Sequence, residues 1–101
     1  MAVTPTVLYR GAASLTTTTT LYTVPNSTTS VVTDIVVANT SSSAQTFTLT
    51  LDGVDINTTS SIAANSTAYI DCKQVLATTK TIKGGASATS VNFHISGVEI
   101  A

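Results

Sequence analysis

Charge is what this sequence most lacks. Only 9% of its 101 residues are Asp, Glu, Lys or Arg, against roughly 25% in an ordinary soluble domain. The cations are Arg10, Lys73, Lys80 and Lys83, the anions Asp34, Asp52, Asp55, Asp71 and Glu99, for a net charge of -1. No basic field exists for phosphates and no acidic tail for basic partners, which excludes nucleic-acid binding by bulk electrostatics. Cys72 is the only cysteine, so an intrachain disulfide is excluded. One cysteine and one histidine, His94, cannot make a structural zinc site. The apolar runs, such as Ile35-Val36-Val37-Ala38, fall far short of the roughly 20 residues of a membrane-spanning helix, and no membrane partner is expected. The first ten residues show no basic region leading into an apolar stretch, so no secretory signal is read there.

What is present is Ser and Thr, a third of the chain, with Val and Ile. β-Branched side chains favour strands over helices, and no window carries a capped 3.6-residue apolar period. In Gln45–Leu51, Phe47, Leu49 and Leu51 alternate with Thr46, Thr48 and Thr50, the pattern of a strand with one buried face. Asp52-Gly53 follows, a strong two-residue hairpin signal. That turn sets Leu51 against Val54 and Leu49 against Ile56. Ser30–Asn39 is apolar on both faces except at Thr33 and Asp34, as expected of a central strand. Ala68, Ile70 and Cys72 alternate with Tyr69 and Asp71. Val91, Phe93 and Ile95 alternate with Asn92, His94 and Ser96, after which the apolar phase slips to Val98 and Ile100. A β-bulge at Gly97 is the expected cause of that slip. Shorter strands are expected at 6–9, 18–23 and 79–83. The fold class is therefore all-β, a single antiparallel β-sandwich of seven or eight short strands, Ig-like or jelly-roll-like, over residues 16–101. Residues 1–15 are weakly patterned and read as an extended N-terminal arm, with a first strand folded back onto the sandwich as the alternative.

Candidate chemistry is sparse. His94 lies in phase with Asn92 and Ser96 on an outward face, which makes it a solvated side chain before a catalytic base. Cys72, in phase with Ile70, reads as a buried inert thiol. Lys83-Gly84-Gly85-Ala86 lacks the Walker spacing and reads as a turn between strands. Asp52, Asp55 and Asn57 lack the spacing of a calcium loop. Asp34, inside an apolar strand, must point outward or meet a lysine, because an unpaired buried carboxylate is costly. Four Asn-x-Ser/Thr sequons start at Asn26, Asn39, Asn57 and Asn65, as a Ser/Thr-rich chain produces by composition alone. No catalytic residues, no cofactor and no metal are expected.

Several segments together carry a resemblance: Leu21–Pro25, Val36–Thr40, Thr48–Gly53, Ile62–Ser66, Thr81–Gly85 and Val91–Gly97. Over residues 20–101 the chain resembles small, roughly hundred-residue β-rich virion structural proteins of tailed bacteriophages. The resemblance implies a non-enzymatic head decoration (cement) protein, made in the bacterial host cytoplasm, that binds and stabilises the shell. A tail, neck or fibre-associated protein is the first alternative, and a host-surface or carbohydrate-binding module the second. The implied partners are the major capsid protein or other virion proteins and further copies of the chain, a trimer among the options. The expected docking arm is centred on Val7, Leu8 and Tyr9 beside Arg10, a cluster suited to adding a strand to an exposed sheet edge. Asp52, Gly53 and Gly97 are the expected structural turns.

Overall fold

The computed structural model describes residues 2–101. Eight strands follow one another: β1 (Val3–Ala12), β2 (Thr20–Thr23), β3 (Thr29–Asn39), β4 (Gln45–Leu51), β5 (Val54–Ile62), β6 (Thr67–Leu76), β7 (Thr81–Ala86) and β8 (Val91–Ile100). They form two four-stranded sheets, in the orders β1-β8-β3-β6 and β2-β7-β4-β5, and every pairing is antiparallel. Consecutive strands cross between the sheets except at β4–β5. That is the order of a jelly roll, which decides between the two sandwich types the sequence allows.

The alternating residues meet where the pattern puts them. Val32, Ile35 and Val37 of β3 and Val91, Phe93 and Ile95 of β8 are buried against Phe47, Leu49 and Leu51 of β4 and Ile82 of β7. Phe47 and Phe93 join the two sheets edge to face, with ring centroids 6.3 Å apart and planes at 68°. Such a pair adds about 0.5–1.5 kcal/mol beyond area burial.

The slip expected at Gly97 occurs at that level of the sheet, but β8 itself runs through without an extra residue. Val32 pairs with Gly97 and Asp34 with Ser96, leaving Thr33 unopposed in β3. On the other side Val7 pairs with Ser96 and Tyr9 with Ile95, leaving Leu8 as the bulged residue. Farther out, Cys72 and Lys73 of β6 together face Thr33, with Lys73 at φ 47°. The bulge in β3 shifts the inward phase from Ser30 and Val32 to Ile35, Val37 and Asn39, and this sends Asp34 into solvent. Gly97 is buried on the inward face. A Cβ there would collide with the Val31 carbonyl and come within 2.9 Å of Leu8 Cδ1. Val98 and Ile100 break the inward pattern because they belong to the outer face.

Two further expectations are corrected. The Asp52-Gly53 turn forms with φ 54° and 74°, as a type I′ hairpin requires, and Leu51 pairs with Val54. Beyond it, however, Thr50 pairs with Asp55 and Leu49 with Asn57, so Ile56 is the residue without an opposite and is 38% exposed. Residues 83–86 are no turn but the interior of β7. Its glycines answer to close approach: a Cβ on Gly84 would lie 2.5 Å from the Thr48 carbonyl oxygen, and one on Gly85 would lie 2.6 Å from that of Ser14.

Polar clamps fix the ends of the sandwich. Asn39, 2% exposed, shares its amide protons among the carbonyls of Ser43, Ile62 and Ala63, while its Oδ1 accepts from Ser41 N and Oγ. At the opposite end of β3, Tyr22 Oη donates to Glu99 Oε2 and lies 2.7 Å from Ser30 Oγ, tying β2 to β8 and β3 across the sheets. Ala2 and Ala101 exchange two backbone hydrogen bonds, of 2.8 and 2.9 Å.

Candidate functional site

Surface chemistry concentrates on the outer face of the β1-β8-β3-β6 sheet. The registers set its side chains in rows across the four strands. One row reads Pro5, Val98, Val31, Val75 and is entirely apolar. Val3 and Ile100 extend it toward the chain ends. The next row reads Val7, Ser96, Asp34, Asp71, and the one beyond it Arg10, His94, Val36, Tyr69. Tyr69 is 79% exposed, Val75 67%, and Val3 61%. These are large apolar groups left in water although the sandwich has a core to hold them. An open depression of about 390 Å³ lies among Pro5, Val7, Thr33, Ser96 and Val98, where the bulges interrupt the pleat.

The four edges are less inviting than the face. β1 carries Pro5, which has no N–H to donate, and the bulge at Leu8. β6 carries the Lys73 irregularity, and β2 is only four residues long. β5 has two register shifts and a positive φ at Thr59. Prolines, charges, bulges and short lengths are devices that blunt strand addition.

The docking segment expected at residues 7–10 is placed within β1, paired with β8 from Val3 to Ala12. Leu8 enters the core, Tyr9 packs against it, and Val7 and Arg10 face outward. Of the sequon residues, Asn39 has its amide fully engaged inside the protein.

The ionisable groups are spread across the surface rather than gathered. Among the described residues no three His, Cys, Asp or Glu side chains converge as a metal would require. His94 stands between Arg10 and Val36 on the outer face. Lys73 Nζ lies 2.8 Å from Asp71 Oδ1, and this hydrogen bond raises the lysine pKa. The pair is exposed, so solvent screens it. Burial pushes the Cys72 thiol above its ordinary value, and its Sγ donates to the Val32 carbonyl at 3.5 Å. Burial, followed by the bond to Glu99, raises Tyr22. Phe47 and Phe93 are core and Tyr22 is tied between the sheets, which leaves Tyr69 as the aromatic most open to a ligand.

Sequence reasoning did not single out Val31, Val75, Val98 or Ile100 as surface groups. The available signal was the two-sided apolar character of the strands at 30–39 and 91–100. That pattern is shared by a doubly buried strand and by a strand whose phase slips. No family model, no curated protein and no solved structure matches this chain.

Proposed function

We propose that this chain is a non-enzymatic structural protein of a tailed-bacteriophage particle, most simply a decoration subunit that binds and stabilises the head shell. The observation that carries the reading is the apolar row Pro5, Val98, Val31, Val75 on an outer sheet face, in a molecule whose strand edges are blunted. Such a molecule works by laying the apolar row of one sheet face against another surface. Low charge removes the repulsion that crowded copies would otherwise build up. The sequence resemblance supplies the particle, and the jelly-roll order adds an analogy at fold level, since viral capsid and lectin domains both use it. Binding only to the assembled shell would stabilise that shell by mass action.

Quantitative mass spectrometry of purified particles tests the proposal. A decoration protein is present in numbers comparable to the shell subunit. A few copies per particle would move it to the tail, neck or fibre, and absence from the particle would overturn the proposal.

A further inference from the structure

We infer that the outer face of the β1-β8-β3-β6 sheet docks first onto the same face of a second copy, about a two-fold axis lying in the interface and parallel to the strands. The inference rests on the docking role given to this face, but not on which particle the protein serves: the free chain covers the face with a second copy, and docking on the particle replaces that copy.

The choice of occupant follows from the rows. A two-fold axis in the plane of contact, running along the strands between β8 and β3, exchanges β1 with β6 and β8 with β3 and keeps each row opposite itself. Pro5 then meets Val75 of the second copy and Val98 meets Val31, so the apolar row covers itself completely. In the row of Arg10 the guanidinium lies over the exposed Tyr69 ring, a cation–π contact. In the row between, Ser96 comes opposite Asp34, a hydroxyl donor against a carboxylate, and Val7 comes opposite Asp71, whose charge is met by its own Lys73. Val75 enters the depression beside Pro5 and Val98. The other in-plane axis, across the strands through the row of Asp34 and Asp71, sets each carboxylate against its own copy. Complementarity therefore selects one of the two arrangements. The arrangement falls in the class of aligned sheet packings, whose mean strand directions lie within about 30° of each other.

The area suffices. Four strands about 4.8 Å apart and about ten residues long, at about 3.3 Å per residue, present roughly 600 Å² per copy. Two copies bury about 1,200 Å², the lower bound of a standard specific interface. A modest, concentration-dependent dimer is expected.

Sedimentation velocity over a range of concentrations, with circular dichroism as the fold check, reads the assembly. The wild-type chain should dimerise, and Val98→Asp should weaken the dimer on the order of 100-fold by burying a charge against Val31. A wild-type protein that stays monomeric throughout overturns the inference, and leaves the particle assignment to its copy number. A second variant fixes the geometry and does not depend on how Val98→Asp folds. In a Cys72→Ala background, Pro5→Cys and Val75→Cys are placed together on one chain. Three strand spacings, about 14 Å, separate them within a copy, whereas facing sheets stack about 10 Å apart. That gap exceeds the roughly 7 Å between the Cα atoms of a disulfide, but a bis-maleimide too short to join the two positions within one copy spans it once the opposed side chains point at each other. Treatment with that reagent should therefore yield a covalent dimer. Failure to cross-link in a sample that sediments as a dimer assigns the contact to another surface and overturns the inference.

Discussion

Glycine plays two distinct roles here, and substitution separates them. At Gly53 an added Cβ finds open space, but φ is +74°. Gly53→Ala should cost about 1–2 kcal/mol from the left-handed backbone alone. At Gly97 the added Cβ has nowhere to go between the Val31 carbonyl and Leu8. Gly97→Ala should cost about 3 kcal/mol, at the upper end of overpacking, because backbone must move. Urea denaturation of the two variants checks the order, and equal losses would contradict the crowding at Gly97. Protonation gives a second expectation. Cys72 and Tyr22 both have native pKa values raised above their ordinary values of 9.0 and 10.0. Native protein then holds protons that the unfolded chain has released, so stability falls as pH rises. Their contribution is complete below pH 9.0 and is lost first through the thiol, then through the phenol. Melting curves from neutral to strongly alkaline pH should decline from about the thiol value upward. Cys72→Ala should remove the earlier part of the decline, and an unchanged curve for that variant would refute the assignment.

At the level of strands, β1 is the element whose role the sequence left open. It pairs with β8 from end to end and gives Leu8 to the core. Deleting residues 2–12 would uncover a ten-residue edge on β8 and empty the Leu8 site. The expected outcome is loss of the cooperative thermal transition followed by calorimetry, with aggregation. A truncated chain that melts near the wild-type temperature would restore the free-arm reading. Legibility of the strands followed sequence distance. The β4–β5 turn was readable because Asp52-Gly53 carries its own backbone preference, and the alternation of Phe47, Leu49 and Leu51 fixed the inward face. Every other pairing joins strands that are not consecutive, and nothing local specifies a partner. The Leu49–Asn57 register was missed because a bulge depends on the facing strand, not on the turn. The glycines of β7 were misread for a similar reason. Glycine marks a turn by local preference, whereas here carbonyls of Thr48, Ser14 and Thr16 from distant segments demanded it. The apolar outer face was hidden by the same two-sided pattern that buries a central strand.

The whole molecule combines a tightly filled core with a surface nearly free of charge. Its ion pairs among the described residues, Lys73–Asp71 and Lys80–Asp52, are both exposed, and exposed pairs add little stability. Cohesion comes from apolar packing and the cross-sheet clamps, and association falls to the apolar row on one sheet face. The hydrogen-bonded Ala2 and Ala101 add a topological consequence. Residues 2 and 101 lie side by side, and a short linker between them would close the path of the backbone without moving a strand. Reopened at the exposed Asp52–Gly53 turn, the permuted chain would retain every sheet pairing. β8 and β1, the most distant partners in sequence, would become neighbours in a hairpin, and β4 and β5 would become the chain's two extremes. Such a permutant should melt within a few degrees of the parent, yet its refolding rate should shift, because contact order governs folding speed more than stability. Stopped-flow refolding of the two chains would measure how much of the folding barrier is the search that brings β1 back to β8.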